Sequence, residues 1–347
     1  MRAAFRASLA AVVGVALVAV VLVGPASAGL NLFNSFTGNE GVSTDGCGST
    51  TATCTLNSLI PTGSTIQAAY LYSSTYSFTS PTDPNGTTLS QGANTITPTF
   101  TPLGINTSAC CTLQAWRADV TSFVQANTTL GALTTWTANE GNKTSVIDGE
   151  ALVIVFSNPA RPTQTVFILD GFASAAGDSA KVVTNPLPVG FTAQMLIGDG
   201  FSFDGSDPNA PSNTGQVSTI KVNGTTLTAV AGHCDDAQDT TCSDGNLITV
   251  GGTNAGPKTD PFTPFPNPGV GSDHESYNLG NILNVGDTTI NLTTINASLD
   301  DNIFLEVFDI SGTAVICQVN CTVPEPGSLV LLGAGLVGLG LYFRRRR

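Results

Sequence analysis

The chain has 347 residues, with 12 Lys and Arg against 25 Asp and Glu, two His and a formal net charge of −13. Six of the bases lie near the two ends (Arg2, Arg6 and Arg344 to Arg347), which leaves six bases against 24 acids, a net of −18, in residues 29 to 323. Such a surface disfavours binding to nucleic acid or anionic lipid and attracts divalent cations.

Arg2 and Arg6 precede an apolar run from Leu9 to Gly24, and Ala26-Ser27-Ala28 is a small-residue cleavage site before Gly29. That is the layout of a secretory signal peptide over residues 1–28, read by signal peptidase. An uncleaved anchor is the alternative. The following 29–322 hold short β-branched or aromatic runs bounded by Gly, Pro, Asn and Asp. Strands are expected at TIQAAYLY (65–72), NTITPTFT (94–101), ALVIVFS (151–157), TVFILDG (165–171), FTAQMLIGD (191–199), QVSTIKV (216–222), TTLTAV (225–230), TTINLTTI (288–295) and NIFLEVFDI (302–310). One or two helical turns are expected over WRADVTSFV (116–124), where Trp116, Val120, Phe123 and Val124 share a face.

Asn223-Gly224 is the dipeptide of a two-residue type I′ turn, so QVSTIKVNGTTLTAV reads as a hairpin. ALVIVFSNPARPTQTVFILDG reads as a second hairpin, held open by Pro159 and Pro162. Many short strands make the fold class all-β, an antiparallel β-sandwich or jelly roll. The Pro- and Gly-rich stretch 254–271 is a long loop within one domain. No fixed-period repeat points to a solenoid or propeller.

The eight Cys fall into four close pairs, and on a secreted route disulfides are the default. Cys47–Cys54, Cys234–Cys242 and Cys317–Cys321 are expected as local bridges; Cys110 and Cys111 are left open. Zinc is the competitor, but the chain has two His and no CxxC. The seven Asn-x-Ser/Thr sequons reflect a composition rich in Asn and Thr.

Two acidic loops have the residue types for calcium, which takes six to eight oxygens. GDGFSFDGSDPN offers Asp199, Asp204 and Asp207, and CDDAQDTTCSDGN offers Asp235, Asp236, Asp239 and Asp244. Solvated acidic loops are the other reading. Neither loop has the EF-hand register, and no further cofactor is implied. For catalysis, Asp199, Asp204 and Asp207, or Asp170 with Asp178, have the residue types of a glycosidase pair. His233 and His274 are the only imidazoles, and adjacency in Ser272-Asp273-His274-Glu275 does not supply a triad's geometry. The expectation is that the protein is not an enzyme.

At 323–347 the chain reads VPEPGSLVLLGAGLVGLGLYFRRRR. Pro324, Glu325 and Pro326 keep the backbone extended and accessible. Ser328 to Phe343 are sixteen uncharged residues, about 24 Å as a helix against a hydrocarbon core of about 30 Å. Arg344, Arg345, Arg346 and Arg347 remain on the cytoplasmic side. This order resembles the PEP-CTERM sorting signal. The resemblance implies recognition by an exosortase, a membrane-anchored precursor, removal of the tail, and a place on the surface or in the matrix of a Gram-negative bacterium that makes extracellular polysaccharide. AAYLYSSTY, WRADVTSFV, GEALVIVFSNPARPTQTVFILDGF and DNIFLEVFDISG also resemble a poorly characterised β-rich module of bacterial surface proteins, in which a Trp commonly stands where Glu150 stands here. That likeness implies no known activity. The expected role is a non-enzymatic, exopolysaccharide-associated protein, with a carbohydrate-binding or adhesive module as the alternative and a polysaccharide-active enzyme after it.

Overall fold

A computed structural model describes residues 29–48, 52–78, 82–107, 112–143, 146–174, 177–200, 218–231, 248–250, 276–296 and 302–317. They form four antiparallel sheets. The first inner sheet runs in the order β1 (Asn31–Gly38), β11 (Gln164–Asp170), β19 (Asn302–Ser311), β13 (Ala193–Gly200) and β16 (Ile248–Val250), with β17 (Ser276–Asn278) also on β13. The second inner sheet runs β2 (Glu40–Gly48), β10 (Ile147–Ser157), β4 (Thr65–Ser77), β8 (Thr112–Asp119) and β7 (Thr101–Thr107). One outer sheet runs β15 (Thr225–Ala231), β14 (Ser218–Val222), β18 (Thr289–Asn296), β12 (Ser179–Thr184) and β20 (Ala314–Cys317). The other runs β3 (Thr53–Leu59), β9 (Leu133–Asn139), β5 (Thr88–Gln91) and β6 (Asn94–Ile96).

Three apolar clusters fix how these sheets stack. Phe167, Met195 and Phe308 of the first inner sheet pack with Val182, Ile220 and Leu292 of an outer sheet. Val166, Leu196 and Val307, on the opposite face of that inner sheet, pack with Tyr72, Val153 and Ala115 of the second inner sheet. Leu71, Leu152 and Ile154 then pack with Leu56, Leu89 and Trp136 of the other outer sheet. The result is four layers, finer than the two-sheet sandwich expected from strand count.

Strand composition follows layer position. A sheet covered on both faces needs apolar residues at every position, whereas a half-covered one alternates. In β10 and β11 every residue but the last of β10 is buried. In β9 (LTTWTAN) and β18 (TINLTTIN) burial alternates, with Thr and Asn facing outward.

Three expectations change. β10 and β11 do not pair as a hairpin: β10 lies between β2 and β4, and β11 between β1 and β19. The SNPARPT connection carries the chain from one inner sheet to the other. Asn158 holds the crossing, donating from Nδ2 to Thr62 O at 3.0 Å and to Ser64 Oγ at 2.9 Å. The helix over 116–124 is likewise shorter. Trp116 belongs to β8, opposite Ser73, and α1 spans only Thr121–Asn127. A doubly buried strand lacks alternation, so its apolar pattern was readable as a helical face. Strand 94–101 also breaks at Pro98, which has no N–H to give to a ladder. The Asn223-Gly224 turn stands as read, with φ of 48° and 77° and Val222 opposite Thr225.

Among the described residues no helix is long and apolar enough to cross a membrane, and Ser328 to Phe343 lie outside them.

Layering makes a graded prediction. Ile154, fully buried on the second inner sheet, should lose about 2–5 kcal/mol on substitution by Ala, while Val189, 89% exposed, should lose close to none. Urea unfolding of the two variants against the parent chain measures this.

Candidate functional site: buried carboxylates

An acidic residue placed on a doubly covered sheet must find donors or give up its charge. Asp170 closes β11 and finds donors across the inner interface. Arg117 of β8 forms an ion pair with its Oδ2, and the hydroxyl of Tyr72 donates to the same oxygen at 2.9 Å. The Arg117 guanidinium also stacks on Phe33, 3.3 Å from the ring centroid. Burial raises the Asp170 pKa more than the Arg117 charge and the two hydrogen bonds lower it. Asp170 is thus a tie between the inner sheets.

Asp178, its expected partner in a glycosidase pair, accepts from the backbone N–H of Ser174 at 2.9 Å and of Leu30 at 3.4 Å. It lies with Ala180 and Leu292 on the outer-sheet side, whereas Asp170 faces the second inner sheet. The two carboxyls open onto opposite faces and share no groove. This arrangement does not make the acid pair that their residue types allowed.

A second tie holds the crossing between the inner sheets. Arg161 pairs through Nη2 with Asp309 Oδ2 of β19 at 2.9 Å, and its Nε donates to the Glu40 carbonyl of β2 at 2.6 Å. Even so, burial outweighs the guanidinium and lifts Asp309 to about 6.

The densest acidic spot lies at the inner end of β10. Glu150 is fully buried, opposite Cys47 of β2 and Ser73 of β4. Cys47 and Cys54 are joined by a disulfide with 5.8 Å between their Cα atoms, as the seven-residue spacing suggested. Glu150 Oε2 lies 3.6 Å from Cys54 Sγ, which as a disulfide sulfur has no proton to donate. Burial raises Glu150 far above the carboxylate range, the nearby Glu140 charge adds to this, and the Ser73 hydroxyl opposes it. Burial alone lifts Glu140 to about 8. Both carboxyls are thus shifted upward, because two buried like charges cannot both ionise cheaply. Ligand atoms of Cys47, Cys54 and Glu150 lie within 4.8 Å of one another. However, the disulfide removes the thiolates that a zinc or copper ion would require.

Of the expected calcium ligands, Asp199 is fully buried in β13, opposite Ile303, and therefore part of a strand. Asp204 and Asp207, and the loop carrying Asp235 to Asp244, lie outside the described residues. So do His233, Ser272 to Glu275, Ala26, Ala28, Cys110, Cys111, Cys234, Cys242, Cys321, Pro324 to Pro326 and Arg344 to Arg347. Gly29 begins the first described segment, and Cys317 ends β20, opposite Lys181. Sequence reasoning did not single out Glu140, Glu150 or Glu306 as buried acids. The signal was present for two of them: Glu150 and Glu306 each interrupt an apolar run, in GEALVIVF and NIFLEVFDI.

The raised carboxyls set the sign of the pH dependence. Between about pH 4.5 and 8 the unfolded chain has released protons that folded Glu140 retains, so stability falls as pH rises through that window. The melting temperature should be higher at pH 5 than at pH 8. Glu140→Gln should flatten the slope while leaving the general self-repulsion of an acidic chain nearly unchanged. A slope equal to that of the parent chain would remove Glu140 from the account.

Residues 322–347 match the family described as the PEP-CTERM protein-sorting motif. In comparisons with curated proteins and with solved structures, nothing matches. The family match covers the PEP tripeptide, the apolar stretch and the arginine cluster, and it implies export, a membrane-anchored precursor and processing by exosortase. By this motif the chain is a PEP-CTERM sorting-domain protein.

Proposed function

We propose that this protein is a non-enzymatic component of the cell surface or extracellular matrix of a Gram-negative bacterium, associated with exopolysaccharide after exosortase removes its tail. The sorting motif at 322–347 carries the reading. Signal peptidase acts first at the N-terminal side, and the body then matures outside the inner membrane. Support comes also from where the chemistry-bearing side chains are placed. Asp170 and Asp309 are engaged in ties between sheets, and Asp170 and Asp178 face apart. Both tryptophans are buried, Trp136 fully, so neither serves as a stacking platform for a sugar ring in a cleft.

A carbohydrate-binding or adhesive module is the second reading. Thr53, Thr55, Thr135, Thr137 and Asn139 form an exposed hydroxyl and amide face on one outer sheet, with Thr135 Oγ1 donating to Asn57 Oδ1 at 3.1 Å. Such a face suits sugar hydroxyls, though with little aromatic contact to strengthen it. Calcium at Asp204 and Asp207, which lie outside the described residues, remains part of this reading.

The test is the mature protein from its own host. Its intact mass should place the new C-terminus near Pro324 to Pro326, and it should co-purify with the host's exopolysaccharide. Recovery of chains that still end in Arg344 to Arg347 would leave a plain membrane anchor. A processed protein with no affinity for that polysaccharide would retain the sorting and remove the matrix role.

A further inference from the structure

The six bases of residues 29–323 are not used alike. Arg117, Lys143 and Arg161 are paired with Asp170, Asp83 and Asp309, and Lys258 lies outside the described residues. Lys181 and Lys221 make no ion pair among the described residues, and both belong to the same outer sheet. Register puts them on one face of it. Lys181 of β12 is opposite Asn291 of β18, and Lys221 of β14 is opposite Thr293. Asn291 and Thr293 are two positions apart on one strand, so all four side chains project from the same side. That side is the outer one. Lys181, Asn291 and Thr293 are exposed and Lys221 is half-buried, while Val182, Val222 and Leu292 of the same strands are buried in the core.

With a strand spacing of about 4.8 Å and a rise of about 3.4 Å per residue, the two lysines stand about 12 Å apart at the backbone. The ground between and beside them is polar and uncharged. Ser179 is opposite Thr293, Thr226 is opposite Lys221, and Asn223 Oδ1 accepts from the backbone N–H of Asn291 at 2.8 Å. Ile295 and Val315, 37% and 52% exposed, add apolar edges on β18 and β20. No Asp or Glu lies on any of the five strands. The acids just before β12 and β18 are engaged elsewhere: Asp178 accepts from the amides of Ser174 and Leu30, and Asp287 from that of Asn284. In a body with a net charge of −18, the strands of this sheet therefore carry positive charge alone.

We propose that this face binds a carboxylate-bearing polysaccharide, with Lys181 and Lys221 meeting separate acidic groups of one glycan chain and Asn291 and Thr293 taking sugar hydroxyls between them. The inference rests on the reading of the protein as associated with exopolysaccharide, and it gives that association a site and a ligand class. Charge complementarity carries it, since a cationic strip on an acidic body selects a polyanion. The narrowness of the strip selects which polyanion. A glycan chain can lie along it without approaching the rest of the surface. A second copy of this protein, or a DNA duplex, would bring its own negative charge against the acidic surroundings. One exposed lysine contact is weak, so binding depends on a repeating acid that engages both lysines at once.

The experiment uses the processed protein from its host and two probes: the host's own exopolysaccharide, native and carboxyl-reduced, and polygalacturonate. It compares the parent with Lys181→Gln plus Lys221→Gln, with Lys181→Arg plus Lys221→Arg, and with Thr53→Glu plus Thr135→Glu. The last makes the same change in net charge as the Gln pair, on the exposed face of the other outer sheet. At low salt the parent should bind both native polyanions and lose the host polysaccharide on carboxyl reduction. The Gln pair should weaken binding about tenfold, while the Arg and Glu pairs stay within about twofold of the parent. About 0.5 M salt should erase the difference. Melting midpoints should stay near the parent's, because the changed side chains lie on the surface. Equal binding by the parent and the Gln pair, or an equal loss in the Glu pair, would overturn the site and leave the exopolysaccharide reading. Host-polysaccharide binding that survives carboxyl reduction would overturn the acidic ligand. A Gln pair that instead loses self-association would give the face to a second copy and overturn the inference. A parent that binds neither probe would overturn both the exopolysaccharide reading and this inference.

Discussion

Two adjacent sheets covered on both faces set the terms for everything else in this molecule. Burial of apolar area stabilises at about 25 cal/mol per Å2, and a strand covered on one side brings only half its side chains to that contact. The inner strands bring nearly all of theirs, as the unbroken burial of β10 and β11 shows. The outer sheets then serve as covers, with Thr and Asn rows toward solvent and apolar rows toward the inner pair.

The same arrangement explains the polar chemistry. Any charged side chain on an inner strand loses its water, so it is either tied or protonated. Asp170 and Asp309 are tied, each by an arginine that reaches across from the second inner sheet or from the crossing between the sheets. Glu150 of β10 and Glu306 of β19 answer the other way, with burial raising both above the ordinary carboxylate range. These ties carry direction as well as energy. A guanidinium stacked on Phe33 and bound to Asp170 accepts only one relative placement of β8 and β11. Two apolar faces alone would tolerate sliding.

Legibility in the sequence followed the same physics. Runs such as ALVIVF and TVFIL were readable because continuous burial needs continuous apolar residues, and the Asn223-Gly224 turn because few dipeptides accept two positive φ values. Pairing was not readable, since an apolar run does not name its neighbours, and β10 and β11 went to different sheets. β2 escaped entirely. EGVSTDGCG is almost wholly buried, yet its Gly, Ser and Thr carry no apolar signal. Its smallness is what the packing requires, since a Cβ on Gly41 would meet Phe156 at 2.7 Å and Arg161 at 2.9 Å. The sorting residues were the most legible part, because three ordered features in a short tail need no tertiary partner to be recognised. The candidate acids were the least, since a carboxylate's role depends on which face of a sheet it takes.

Native-state hydrogen exchange on the processed protein tests the layered account most directly. Amides of β4, β10, β11 and β19 should exchange together and slowest, at the free energy of global unfolding, while those of β9 and β18 open earlier as the covers loosen. If the outer strands were protected as strongly as the inner ones, or if β10 and β11 exchanged in two separate transitions, the doubly covered pair would not be the element on which the structure depends.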